Sequence, residues 1–293
     1  MHIYQTIADL RQALQLVKDD GLSIGLVPTM GNLHKGHLSL ARLAREQCDF
    51  VLATIFVNPT QFGPNEDFQN YPRSFDDDIA ALKLINCDAV FAPNIEELYP
   101  QGPKLETLVS VPNISKLLCG ASRPGHFDGV CTIVTKLFNI CPANKAYFGE
   151  KDYQQLAIIR KLVHDLNIPI EIIGVPTLRN TSGLALSSRN NYLNAEQLKQ
   201  AAVLYKTLQL TADSIKLDKN PNYSELEEAA LENISSAGLK PDYFSICDAP
   251  SLFPATVNDK DLVILAAAYL GNTRLIDNIS IKLAWENKAA DRA

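Results

Sequence analysis

The sequence predicts an α/β protein, with a doubly wound parallel sheet over residues 1–177 and a smaller α+β domain over 178–283. Two observations carry that expectation. Strand-like apolar runs alternate with helical stretches through the first 177 residues, the pattern of parallel strands covered by helices on both faces. From about residue 178 the order changes to two helices followed by three short strand-like runs, which suits a separate unit of roughly 100 residues.

Taken in order, Ile7, Leu10, Leu14 and Val17 recur at helical spacing and lead into the apolar run Ile24-Gly25-Leu26-Val27. A second helix is expected from near Gly36, with Leu38, Ala41 and Ala44 on one face. It runs into residues 50–57, apolar on both faces and therefore a strand covered on both sides. A helix around 74–86, a strand at 89–91, a long helix around 127–141, a helix over 151–166 and a strand at 170–175 complete the series. In such sheets ligands bind beyond the C-terminal ends of the strands, here after Val27, after Val57 and around Phe148. The second part reads as helices over 195–214 and 224–236, joined by the linker Asp218-Lys219-Asn220-Pro221-Asn222. Strands at 243–246, 262–266 and 273–276 follow, and the polar residues 284–293 are expected to form a flexible tail.

Charge narrows the partners. With 33 acidic against 27 basic residues the net charge is −6, and no dense Lys/Arg stripe interrupts it. A surface for tRNA or duplex DNA is excluded on that ground, while a small anion can be held by a few local cations. The six cysteines form no C-x-x-C pair and sit among apolar neighbours, so they read as buried free thiols. Asp9 and Arg11 interrupt the apolar stretch nearest the N-terminus, and no apolar run approaches the ~20 residues of a membrane span. A cytoplasmic protein with small-molecule partners, neither nucleic acid nor membrane, is expected.

The chemistry concentrates in Pro28-Thr29-Met30-Gly31-Asn32-Leu33-His34-Lys35-Gly36-His37, which follows a strand and opens a helix. Free N–H groups and the positive end of the helix dipole meet at such a junction, which suits a phosphate. Two histidines three apart can both face that phosphate and donate to it. A plain tight turn with two exposed histidines, or a zinc site, are the other readings, although no Cys or further His lies nearby in sequence. Neither a P-loop nor a G-x-G-x-x-G fingerprint is present. Asn58 and Gln61, in Asn58-Pro59-Thr60-Gln61-Phe62, offer neutral donors and acceptors for a hydroxy acid at a strand end. In Phe148-Gly149-Glu150-Lys151-Asp152, Lys151 can reach a phosphate and Asp152 can hold a ribose hydroxyl or cap a helix. Ser187-Ser188-Arg189-Asn190 could close over a triphosphate or be an ordinary polar loop.

The first block resembles the His-x-Gly-His signature shared by nucleotidylyl transferases and class I aminoacyl-tRNA synthetases. In its full form it resembles the pantothenate synthetase family, as do the other three blocks, Gly125-His126-Phe127-Asp128-Gly129-Val130 and Arg274-Leu275-Ile276-Asp277-Asn278. The Asn-Pro-Thr-Gln-Phe and Ser-Ser-Arg-Asn blocks disfavour other nucleotidylyl transferases. The intact His34, His37 and Lys151 speak against a nucleotide-binding module without catalysis.

The resemblance implies a Rossmann-like sheet of the nucleotidylyl transferase type. It also implies ATP-dependent condensation of pantoate with β-alanine through a pantoyl-adenylate, releasing AMP and pyrophosphate. Carried over by position, His37 is the proton donor, and His34 and Lys151 are the other catalytic residues. ATP would contact Met30, Gly31, Asn32, Leu33, His34, Lys35, Gly36 and His37 in the first block. Gly149, Glu150, Lys151, Asp152, Leu178, Leu186, Ser187, Ser188 and Arg189 would complete that set, and Gln61 and Gln155 would hold pantoate. Mg²⁺ is expected with ATP, its protein ligands unassigned; Asp77 and Asp78 are candidate helpers near the substrate amine or the metal. A homodimer is implied as well, and a lid formed by the second domain with its 187–189 loop is expected from the need to shield the adenylate from water.

Overall fold

The first 178 residues form six parallel strands in a computed structural model that describes residues 1–283 except Asn65, Asp67, Lys104 and Lys219. The expected tail at 284–293 and Lys219 of the expected linker lie outside the described residues. The chain divides into two units, one made of Met1–Leu178 with Leu186–Ser188, the other of Arg179–Ala185 with the chain from Arg189 onward.

The strands of the first unit are β1 (His2–Tyr4), β2 (Ile24–Thr29), β3 (Phe50–Ile55), β4 (Ala89–Phe91), β5 (Lys145–Gly149) and β6 (Glu171–Val175), in the order β1-β4-β3-β2-β5-β6. Every pairing is parallel. Between them run α1 (Ile7–Asp19), α2 (Lys35–Gln47), α3 (Phe75–Leu84), α4 (Ile95–Leu98), α5 (Cys119–Ser122), α6 (His126–Ile140) and α7 (Tyr153–Asp165). Thr6 starts α1 by accepting the Asp9 N–H, and Asn94 starts α4 through the Glu97 N–H, each satisfying a donor the helix leaves open.

Val27, Val51, Ala53, Val90, Tyr147 and Val175 share one face of the sheet and pack on Leu40, Ala41 and Ala44 of α2 and on Ile79 and Leu82 of α3. Their strand neighbours Leu26, Leu52, Phe91 and Ala146 are fully buried too, and alternation turns them to the opposite face. Burial on both faces is what the unbroken apolar runs of β2 and β3 required. Two features differ from expectation. β1 carries no sequence signal because it is three residues long and mostly exposed; it exists only by pairing with β4. The strand expected over 50–57 ends at Ile55, where the chain turns toward the cap at Asn58.

The second unit contains α8 (Ala195–Ala201), α9 (Val203–Leu217), α10 (Tyr223–Ser236) and an antiparallel sheet of β7 (Lys240–Asp248), β8 (Asp261–Leu270) and β9 (Thr273–Lys282). The helix expected over 195–214 is two helices meeting at Ala202. Leu204, Leu208, Ala212 and Ile215 of α9 bury against Ile264, Ala266 and Phe244 in one core. Arg179 forms a fork to the buried carboxylate of Asp277, at 2.5 and 2.8 Å, and lies 3.5 Å over the Tyr205 ring. All six cysteines are buried and unpaired with one another, as their apolar neighbours predicted. No helix among the described residues is long and apolar enough to cross a membrane.

Candidate active site

Strand order reverses beside β2, which pairs with β3 on one side and β5 on the other. The loops leaving β2 and β5 therefore open at a topological switch point, where parallel sheets leave a crevice for ligands. Residues 30–34 leave β2, and Glu150–Asp152, a 3-10 turn, leaves β5.

The loop after β2 is held from below. Gly31 and Asn32 take consecutive left-handed conformations, with φ of 80° and 50°. That twist turns the N–H groups of Asn32 and Leu33 onto the two carboxylate oxygens of Asp78, at 2.8 and 2.7 Å. Asp78 is 2% exposed. The expected place for Asp78 near the substrate amine or the metal is corrected here: its carboxylate is committed to the backbone of the loop. Asp77, its neighbour in the same acidic run, is exposed. Thr29 adds a third tie, its Oγ1 accepting the Gly31 N–H at 3.1 Å.

The spacing of the two histidines now has a local reason. His34 is the N-cap of α2, and its ring folds back so that Nδ1 accepts the Gly36 N–H at 3.1 Å. A Cβ on residue 36 would lie 2.8 Å from that ring, so glycine is what permits the cap. His37 completes the box, its Nδ1 facing the His34 N–H at 3.4 Å, and the two rings stand 4.1 Å apart. With Nδ1 engaged as acceptor, each neutral ring carries its proton on Nε2. Burial, then the Lys151 charge, lowers the pKa of His34. Burial, then the neighbouring His34, holds His37 at about 3. The switch point thus offers two neutral N–H donors instead of two imidazolium ions.

Lys151 and Asp152 belong to the same locale, since both act electrostatically on His34 and His37. Their own charged groups are 3.8 Å apart. Gly149 has open space around its Cβ position. Glu150 begins the turn, and Lys35 points from the first turn of α2 as an exposed group.

Gln61 reaches the loop from the third side, its Nε2 donating to Met30 Sδ at 2.9 Å. Asn58, expected to meet the substrate, is 1% exposed and consumed by the fold. It donates to the Gly129 carbonyl and to Gln61 Oε1 and accepts from Tyr99 and Thr60. Gln155 sits half-buried at the start of α7, whereas its neighbour Gln154 is buried and bonded to residues 114, 117 and 119. Leu178 and Leu186 are joined by a backbone hydrogen bond at 2.9 Å and share the first unit with Ser187 and Ser188, while Arg189 falls in the second. Three groups around Gln61 and Asn58 went unassigned in the sequence: Glu66, Arg123 and Tyr99 lie outside the motifs they serve, and only folding brings them there. No three His, Cys, Asp or Glu converge to hold a metal among the described residues.

A parallel sheet whose switch point carries a braced glycine loop, two neutral imidazole donors and a lysine defines an α/β protein of the nucleotide-handling class. Comparison with known proteins narrows this. The family model for pantoate-beta-alanine ligase matches residues 2–280. A pantothenate synthetase from Pseudomonas putida strain W619 is 53% identical over 283 residues, 97% of this chain and 98% of the relative. One from Azotobacter vinelandii is 54% identical over 280 residues, 96% of this chain and 99% of the relative. The crystal structure of pantothenate synthetase from Thermus thermophilus superposes with a TM-score of 0.88 at 42% identity, covering 95% of this chain and 99% of that one. The Francisella tularensis ligase complexed with beta-gamma ATP and beta-alanine gives 0.77 at 39% identity, covering 95% and 97%. The chain belongs to the pantoate-beta-alanine ligase family.

Proposed function

We propose that this chain uses ATP to condense pantoate with β-alanine, through a pantoyl-adenylate bound at the β2/β5 switch point. The observation that carries the reading is the meeting of His34, His37, Lys151 and Gln61 around one loop, within a family whose relatives bear that activity in their names.

In the first step a pantoate carboxylate oxygen bonds to the α-phosphorus, and the bond from that phosphorus to the pyrophosphate oxygen breaks. Such a transfer needs charge neutralisation and alignment more than a protein nucleophile. The Nε2–H groups of His34 and His37 donate to the phosphate oxygens as charge gathers there, and Lys151 supplies the positive charge. In the free protein His37 is a hydrogen-bond donor and not an acid, because its pKa lies at about 3; a bound polyphosphate shifts it upward. Gln61 and Gln155 orient pantoate. In the second step the β-alanine nitrogen bonds to the acyl carbon, AMP leaves with the bonding pair, and the amine loses a proton.

Mg²⁺ enters with the nucleotide in this reading. It commonly takes substrate phosphates and waters with only one or two carboxylates, so the reading needs no cage of protein ligands. The cytoplasm and a homodimer complete the proposal; light scattering reads the latter.

The test is chromatographic. With ATP, Mg²⁺ and pantoate, AMP and pantothenate should appear in equal amounts only when β-alanine is added, and His37→Ala should lower the activation step by roughly 10²-fold. Pyrophosphate exchange driven by another acid, with no pantothenate formed, refutes the reading, and near-normal turnover of that variant refutes the role of His37.

A further inference from the structure

The Gly125–Val130 motif has no part in the chemistry above, yet it contains the most heavily engaged histidine of the first unit. Gly125, at φ 80°, turns the chain into α6, and His126 is its first residue. On one side the His126 ring meets Arg123, whose Nη1 lies 3.0 Å from Nε2. A guanidinium only donates, so Nε2 accepts and the ring proton sits on Nδ1. Nδ1 lies 2.7 Å from the main-chain carbonyl of Gln61 and therefore donates to it. This is the opposite tautomer to that of His34 and His37.

Further contacts fix the same carbonyl. Arg123 Nη2 approaches it at 3.4 Å, and Arg123 is itself clamped by Glu66 through bonds of 2.7 and 2.5 Å. Three residues along α6, a Cβ on Gly129 would stand 2.3 Å from the Thr60 carbonyl oxygen, so the helix and the 59–61 turn are in backbone contact. The Gly129 carbonyl in turn accepts from Asn58, which also donates to the Gln61 side chain. Both the main chain and the amide of Gln61 are thereby referred to one end of α6. Burial and the adjacent Arg123 charge keep His126 at about 4, with Glu66 and Asp152 acting in the other direction, so the ring is neutral at working pH.

We infer that His126 is a positioning residue for pantoate, donating from Nδ1 to the Gln61 carbonyl and so setting where the Gln61 amide meets the substrate. It need not touch the reacting atoms. The inference rests on Gln61 binding pantoate, and the two can be tested apart. If the wild-type protein makes no pantothenate, or Gln61→Ala leaves the pantoate KM unchanged, that assignment fails. The inference is read from His126→Asn, His126→Asp and His126→Leu. Asn places its amide nitrogen where Nδ1 stood and restores the donor; Asp has the same size but turns an acceptor toward a carbonyl.

The pantoate KM should rise about 10-fold or more in the Asp and Leu variants and stay within about threefold in Asn, with the ATP KM unchanged throughout, the loss of roughly one aligned hydrogen bond. Equal pantoate KM values for Asn and Asp, or parallel shifts in the ATP KM, overturn the inference. If His126→Leu does not fold, the Asn and Asp pair decides it alone.

Discussion

Asp78→Ala separates a residue that braces the loop after β2 from one that serves the substrate amine. In the protein the carboxylate is 2% exposed and accepts the N–H groups of Asn32 and Leu33 at 2.8 and 2.7 Å, with Ser74 Oγ at 3.2 Å. Hydrogen bonds to a charged acceptor contribute about 1.5–3 kcal/mol each. The two act as one anchor, and removing the carboxylate also relieves its desolvation, so a net loss of about 3 kcal/mol is expected. For a unit of this size that corresponds to a fall in Tm of about 6–12 °C. Asp78→Asn keeps one acceptor and turns an NH₂ toward the other N–H, so it should lose about half as much. The freed loop leads directly into His34, and if His34 acts as proposed above, a displacement of about 1 Å there costs up to 10²-fold in rate. Thermal unfolding together with separate KM values for the three substrates reads the outcome: a lower Tm, and an ATP KM raised about 10-fold. A variant with normal Tm and ATP KM whose defect lies only with β-alanine refutes the argument and returns Asp78 to the amine.

Three further outcomes are expected. Gly129→Ala forces its new methyl against the Thr60 carbonyl, destabilising by about 1–3 kcal/mol and raising the pantoate KM more than the ATP KM; unchanged kinetics and Tm would falsify the close approach. His37 and His126 stay neutral in the folded protein down to about pH 3 and 4, while in the unfolded chain they protonate below about 6.5. The unfolded state then binds more protons, so stability falls as pH drops below about 6.5. The pair contributes about 2 kcal/mol between pH 6 and 5, readable from urea midpoints and reduced by about half in His126→Asn. Finally, burial pushes the Cys87 thiol up to about 11 and those of Cys131, Cys141 and Cys247 to about 12. Iodoacetamide at pH 8 should label these thiols only after unfolding, and rapid labelling of the native protein contradicts their burial.

Much of the site was legible because its central device is local. The strand, the glycine turn, the N-cap and the two histidines occupy ten consecutive residues, and the reason for Gly36 is the ring of His34 two residues away. The central strands β2 and β3 were legible for a related reason, since burial on both faces writes an unbroken apolar run, which the exposed edge strand β1 lacks. Asp78 was not, because one acidic residue among three at a helix start looks like ordinary dipole compensation until the fold turns it onto a loop 46 residues earlier. Asn58 misled in the opposite sense: a polar residue at a strand end reads as available to a ligand, and only its four partners reveal a buried keystone.

Periodicity and short motifs were enough for the alternation of elements, the strand–helix junction that carries the two histidines, and the family. Each is set within one short stretch of chain, where side-chain spacing alone fixes the geometry. Folding in three dimensions was needed for the strand order that places β2 beside β5, for the tautomer of His126, and for the contacts of Asp78, Arg123 and Glu66. Most of those depend on groups roughly 40 to 100 or more residues apart meeting within about 3 Å, a coincidence of space that no local pattern encodes.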